Sequence, residues 1–185
     1  LKSALKELNN DNTQGEYYLT DVIAIINGRG LKVGAFMVAD ADEIMGVNNR
    51  LQLAQANDIM RDRILKEHML SGVTIIDPRS TYIDSTVKIS RDVTIYPNCI
   101  IEGNTVIDED CEIGPNTRIS SCRLDSGVKA DNSVLLDSIV GEGTKIGPFA
   151  YLRPGNNIGK HAKIGDFVEM KNSNFGDNSK ASHLT

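Results

Sequence analysis

The stretch IDSTVKISRDVTIYPNCIIEGNTVIDEDCEIGPNTRI, residues 83 to 119, carries an isoleucine at every sixth position: Ile83, Ile89, Ile95, Ile101, Ile107, Ile113 and Ile119. Four positions after each of the first six stand Val87, Val93, Cys99, Thr105, Cys111 and Thr117, all small or β-branched. A helix repeats near 3.6 residues and a plain strand at 2, so neither produces this beat. A sustained period of six is expected of a coil in which each repeat gives one short strand and one corner. The aliphatic residue then points inward and the small residue fills the space beside it. Glycine, Asn and Asp at corners supply backbone angles that β-branched residues resist.

Outward from this stretch the pattern continues. A second series runs Val140, Ile146, Leu152, Ile158, Ile164 and Met170, with Gly141, Gly147, Gly159 and Gly165 behind four of its members. Between the two series, Leu124, Ala130 and Leu135 keep the count with one-residue slips. Residues 72–185 are therefore expected to wind into a parallel β-helix whose successive turns stack about 4.8 Å apart. Ahead of it, Leu51 to Leu70 contains neither Gly nor Pro and keeps broadly helical apolar spacing, which predicts a linker helix over 51–71. At about 1.5 Å per residue it reaches roughly 30 Å, enough to hold two bodies apart. Residues 1–50 read as mixed α and β. A helix is expected over Leu1 to Leu8, a second from Glu16 to Ile26 stopping at Gly28, a strand over Leu31 to Val38, and an acidic loop at Asp40 to Glu43. That is too little chain for an independent α/β domain.

Composition narrows the function. A net charge of -5 and a pI near 5.2 argue against nucleic acid as a partner, because a phosphate backbone calls for a basic stripe. Apolar runs such as Val22 to Ile26 fall far short of the roughly 20 residues of a membrane span. The chain opens on Leu1 inside a helical pattern, without the regions of a signal peptide, so its start reads as a cut within a longer protein. Cys99, Cys111 and Cys122 are odd in number and lack metal-ligand spacing, which suits a reducing cytoplasm. Cys99 and Cys111 occupy the small inward slot and Cys122 fits it, so packing is their expected role. The acidic run Asp40 to Glu43 is read as a solvated loop rather than a metal site.

Three groups of residues carry a family resemblance. The run Asn10 to Asp21 is similar to the last part of a sugar-nucleotide pyrophosphorylase domain, and Gly46-Val47-Asn48-Asn49-Arg50-Leu51 to its closing motif. Tyr151-Leu152-Arg153-Pro154-Gly155, Phe167-Val168-Glu169-Met170-Lys171 and Ser179-Lys180-Ala181-Ser182-His183-Leu184-Thr185 resemble an acetyltransferase site. Together they resemble the bacterial bifunctional enzymes that are both UDP-N-acetylglucosamine pyrophosphorylase and glucosamine-1-phosphate N-acetyltransferase. The resemblance implies a left-handed, three-sided β-helix with three hexapeptides to each turn, an exception to the usual right-handed crossover. It divides the chain into the end of a uridylyltransferase domain (1–50), the linker (51–71) and the start of an acetyltransferase domain (72–185).

The family acetylates glucosamine 1-phosphate with acetyl-CoA, then joins the product to UTP with release of pyrophosphate, feeding cell-wall synthesis. By resemblance, Asn48 offers a neutral oxygen to Mg2+ and touches the nucleotide sugar, Arg153 and Lys171 bind substrate, and His183 is the general base in a cytoplasmic homotrimer. A base is needed because an amine attacks a thioester only after losing its proton, and histidine titrates near 6.5. Arg153 and Lys171 lie three hexapeptides apart, one full turn, so they should stack on one face about 4.8 Å apart with a sugar phosphate between them. His183, two hexapeptides further on, should fall on a neighbouring face or corner. Ser182 stands where the family often has Gly. The pyrophosphorylase's nucleotide loop and Asp metal ligand would lie before residue 1, and further acetyl-CoA residues after 185. This length of chain is therefore expected to show no uridylyl transfer and weak or no acetyl transfer. The main alternative is another sugar-nucleotide pyrophosphorylase whose hexapeptide tail is a non-catalytic trimerisation module. A γ-class carbonic anhydrase would need three converging His ligands, which His68, His161 and His183 do not supply by position.

Overall fold

The computed structural model describes residues 1 to 184. Contacts divide the chain into two compact units, Leu1–Met45 and Gly46–Thr185.

In the first unit the helices are shorter than expected and the strand is absent. Helix α1 spans Lys2–Leu5 and α2 spans Asp21–Gly28. The late start of α2 has a local cause. The Asn12 side chain accepts from the N–H groups of Gln14 and Glu16, both at 3.2 Å, and donates to Glu16 O at 2.6 Å, which ties 12–16 into a turn. Leu31 to Val38 has strand composition but pairs with no strand among the described residues, and Phe36 and Met37 stand 91% and 90% exposed. Strand preference is realised only against a partner and a covered face, and this segment has neither. Asp40 opens a 3-10 turn, Ala41–Ile44, by accepting from Asp42 N–H at 3.0 Å, so the acidic run is a capped turn.

The second unit opens on helix α3, Arg50–Leu70. Asn49 caps it by accepting from Gln52 N–H at 2.9 Å, and the Gln52 side chain accepts from Asn48 N–H at 2.7 Å. The pair is a reciprocal variant of the capping box. Leu65 is buried against the first turn of the solenoid and the Arg61 guanidinium lies 5.4 Å from the centre of the Tyr82 ring.

From Thr74 on, the chain is a parallel β-helix of about six turns. Every third strand joins the same sheet. A seven-stranded first face runs from Thr74–Ile75 to Lys180–His183, a six-stranded second face from Tyr82–Ile83 to Glu169–Met170, and a six-stranded third face from Lys88–Ile89 to Asn174–Phe175. Tyr82 pairs with Ile100 and Ile100 with Arg118, a step of three full hexapeptides. In the middle the step contracts: Arg118 pairs with Val134, Arg123 with Ile139 and Lys129 with Lys145, each two places short of the full step. The one-residue slips in the sequence are lost at corners, so the inward column is unbroken. Ile95, Ile101, Ile107, Ile113, Ile119, Leu124, Leu135, Val140, Leu152 and Ile164 are all fully buried. The small column continues past Thr117 through Cys122, Val128, Ser133, Ser138, Thr144, Ala150, Asn156, Ala162 and Val168, all buried.

From Asp92 on, every corner among the described residues contains a residue at positive φ. Between the first and second faces these are Asn98, Asn116, Asn132, Phe149, Phe167 and Leu184. Asn is at home in the left-handed region, and the first three join in a ladder, with Asn98 Nδ2 donating to Asn116 Oδ1 at 3.0 Å and Asn116 Nδ2 to Asn132 Oδ1 at 2.9 Å. Phe149 and Phe167 are bulky residues in the same conformation, which costs on the order of 1–3 kcal/mol each. Their rings stack at 5.3 Å and 14° while remaining 54% and 59% exposed. At Gly147 and Gly165 an added Cβ would strike a backbone carbonyl of the neighbouring turn, Asp131 O and Ser182 O respectively, so only glycine allows the turns to close up there.

Truncating Ile113 at the centre of the inward column should leave a cavity between two turns. Ile113→Ala is expected to lower unfolding free energy by about 2–5 kcal/mol, read as a drop in the urea midpoint. The same change at the exposed Ile139 should move it by less than about 1 kcal/mol.

Candidate functional site

Arg153 and Lys171 occupy the same place on consecutive turns. Tyr151 pairs with Glu169 and Leu152 with Met170 on the second face, and the Arg153 N–H donates to Met170 O at 2.8 Å, so Arg153 and Lys171 each follow directly at the corner toward the third face. The stacking expected from their separation by three hexapeptides is thus present in the backbone. Sequence reasoning does not single out Glu169. Its Oε1 lies 2.9 Å from Arg153 Nη1, so the arginine already holds one carboxylate, in an exposed pair worth at most about 1 kcal/mol. Arginine has five N–H donors, and this contact engages one nitrogen.

Beneath that corner lies a second residue that sequence reasoning missed. Asn156 is 3% exposed and its Nδ2 donates to Ser138 Oγ at 3.3 Å, to Met170 O at 3.2 Å and to Arg153 O. Its Oδ1 accepts from Ser173 N–H at 3.1 Å. One buried amide therefore brackets the backbone that carries Arg153 to the backbone that carries Lys171. The signal was available: Asn156 is an amide in the small inward slot between Ala150 and Ala162.

His183 ends the last strand of the first face, in register with Asp166 on the preceding turn. It is exposed, and it stands at the corner between the first and second faces, where Phe167 and Leu184 follow Asp166 and His183. The segment from Phe167 to Lys171 therefore crosses the second face from the histidine corner to the cation corner, roughly 13 Å at strand rise. Thr185, the last residue of the histidine motif, lies outside the described residues.

Asn48 is exposed just ahead of α3. No group of three or more His, Cys, Asp or Glu converges among the described residues, and Asn48 brings a single neutral oxygen. The described residues do not by themselves fit a magnesium ion, which takes several oxygens around it. Cys99, Cys111 and Cys122 are free thiols in the small column, 0%, 0% and 2% exposed. Their Sγ atoms approach Ile113 O at 3.5 Å, Asp125 O at 3.2 Å and Ser120 O at 3.4 Å. Burial pushes Cys99 up and Cys111 and Cys122 up to about 11, so they are neutral packing groups rather than nucleophiles.

A six-residue period wound into a three-faced parallel prism defines the class: a hexapeptide-repeat β-helix protein. Residues 83–178 match the family model described as GMPPB C-terminal domain, and the chain belongs to that family. Over all of its 185 residues it is 58% identical to Bifunctional protein GlmU of Clostridium botulinum (strain 657 / Type Ba4) and equally to that of Acetivibrio thermocellus. The chain spans 40% of the length of each. Among solved structures it resembles PerB from Caulobacter crescentus in complex with CoA and GDP-perosamine, with a TM-score of 0.55 and 21% identity over 84% of this chain and 69% of that one. The acetyltransferase domain of PglB from Neisseria gonorrhoeae FA1090, in complex with acetyl coenzyme A, gives 0.52 and 16% over 67% and 62%. At these identities the two structures establish the fold. No helix among the described residues is long and apolar enough to cross a membrane.

Replacing Asn156 by Ala should strand the Ser173 N–H and take one of two donors from each of the Arg153 and Met170 carbonyls, lowering stability by about 1–3 kcal/mol in urea melts. The cysteines predict a pH dependence. Unfolded thiols lose their protons as pH rises past 9.0, while folded Cys111 and Cys122 hold theirs to about 11. The unfolded state binds fewer protons across that window, so stability present below pH 9 is lost between pH 9 and 11. A Cys111→Ala, Cys122→Ala protein should show a shallower fall of the urea midpoint over the same range.

Proposed function

We propose that this chain is the central part of a cytoplasmic, homotrimeric bifunctional enzyme of UDP-N-acetylglucosamine synthesis. In this reading 72–185 begin an N-acetyltransferase domain, 51–71 are the linker and 1–50 end a uridylyltransferase domain. The carrying observation is the alignment of Arg153 with Lys171 on successive turns, with His183 at the adjoining corner, in a chain 58% identical to Bifunctional protein GlmU. The intact protein would acetylate glucosamine 1-phosphate with acetyl-CoA. It would then transfer UMP from UTP to N-acetylglucosamine 1-phosphate, giving pyrophosphate and a nucleotide sugar for the cell wall.

The chemistry assigned to each residue follows from its type and place. Arg153 and Lys171 hold the sugar phosphate, with charge-assisted hydrogen bonds that offset the repulsion of two cations at one corner. Glu169 restrains the guanidinium, and Asn156 fixes the spacing of the two turns. His183 takes a proton from the sugar amine, freeing the lone pair that attacks the thioester carbon; the C–S bond then breaks and the proton passes to the sulfur, so that CoA leaves as the thiol. Asn48 contributes to binding the nucleotide sugar. Mg2+ would supply charge neutralisation at the UTP phosphates, with most of its ligands drawn from residues beyond these.

A second reading starts from the match of residues 83–178 to a model described as a C-terminal domain. There the prism is a trimerisation tail of another sugar-nucleotide pyrophosphorylase. His183→Ala in the full-length protein separates the two. Acetyl transfer should fall by about 10²–10⁴-fold while uridylyl transfer stays within about twofold. Unchanged acetyl transfer, or none in the unsubstituted protein, would favour the tail.

A further inference from the structure

The first face carries a column of lysines that the acetyl-transfer reading does not use. Lys129 pairs with Lys145, Lys145 with Lys163 and Lys163 with Lys180, in register on four successive strands. Stacked strands place such residues about 4.8 Å apart, and like charges directly opposite one another are destabilising. Several cations elsewhere on the prism are matched by an acid on the adjoining turn: Arg118 with Glu102 at 2.8 Å, Arg153 with Glu169 at 2.9 Å, Lys160 with Glu142 at 3.1 Å. Lys129 follows that rule through Glu112 at 2.6 Å. Lys145, Lys163 and Lys180 are exposed and have no ion pair among the described residues.

The ground next to two of them is low. The residues two places on from Lys145 and Lys163 are Gly147 and Gly165, where no side chain fits, and only Pro148 and Asp166 then precede the stacked Phe149 and Phe167; Ser182 holds the matching place after Lys180. Three lysines in register outnumber the one carboxylate beside them, Asp166, and match an extended anion whose charges repeat along the prism axis. We propose that Lys145, Lys163 and Lys180 form a binding site for a ligand carrying several phosphates in line. That chemistry belongs both to inorganic polyphosphate and to the phosphate chain of a nucleotide. The site does not depend on the acetyl-transfer reading, because its readout is binding and not turnover.

The test is calorimetric titration of the whole chain with inorganic tripolyphosphate at low salt. The expected result is saturable binding that weakens at least tenfold in the Lys145→Gln, Lys163→Gln, Lys180→Gln protein. It should survive Lys-to-Arg replacement at the same three positions, and Lys88→Gln on the third face should leave it unchanged. Tripolyphosphate should also raise the melting temperature of the unsubstituted protein and not that of the triple Gln protein. UTP and CoA serve as further arms. Tighter binding than tripolyphosphate, weakened by Phe149→Ala, assigns the site to a nucleotide, and equal or weaker binding assigns it to a bare polyphosphate. Equal tripolyphosphate affinity in the unsubstituted and triple Gln proteins, or no binding by the unsubstituted chain at millimolar ligand, overturns the proposal.

Discussion

The parallel stacking of one turn on the next is the constraint from which the rest of the molecule follows. Each turn must return its strands to the hydrogen-bonding register of the turn before, about 4.8 Å away, and must deliver one aliphatic side chain per face to a shared interior. The full step of three hexapeptides and the steps shortened by one or two places all meet this condition, because the loss is taken at corners and never inside a strand. The corners tolerate it because, from Asp92 on, each contains a left-handed residue, supplied as Asn, Asp or Gly along most of the prism.

The same constraint makes a surface pattern out of a linear one. A residue one turn further along the sequence becomes a neighbour along the axis, so chemistry on the faces appears as columns. Some columns find a neutralising acid on the adjoining turn, directly as Lys129 does at Glu112, or diagonally as Arg118 does at Glu102 and Arg153 at Glu169. The column from Lys145 to Lys180 does not. The left-handed corner likewise changes from an Asn ladder to an aromatic stack at Phe149, on the turn that carries Arg153. The switch from self-satisfied to unsatisfied columns therefore falls on the last turns, where His183, Arg153 and Lys171 also lie.

Legibility differed sharply along the chain. The solenoid was readable because its signal repeats: a single misplaced isoleucine would be noise, but a column of them leaves little freedom. The linker helix was readable from a long run without a breaker, whereas its Asn49 and Gln52 cap shows only in the folded chain. In residues 1–45 the sequence pattern points to longer helices than form and to a strand at Leu31 to Val38 that does not. Those elements are decided by single contacts, such as the Asn12 side chain gripping residues 14 and 16, and such contacts have no periodicity to read. Asn156 and Glu169 were overlooked for a related reason. Each matters through a partner on another turn, and nothing in its immediate sequence names that partner.

That three beats make one turn, and so which residues share a column, came with the family resemblance. By itself, the sequence determined the six-residue beat: where strands and corners fall and which side chains face in, since burial of the aliphatic residues permits one register. Only the tertiary structure decided which corner each functional side chain occupies and what it touches there. A spacing of two hexapeptides between Lys171 and His183 says that two strands intervene. The folded prism puts the two at opposite edges of one face, gives Arg153 a carboxylate and leaves three lysines without one, because contacts between turns depend on the register of both partners at once.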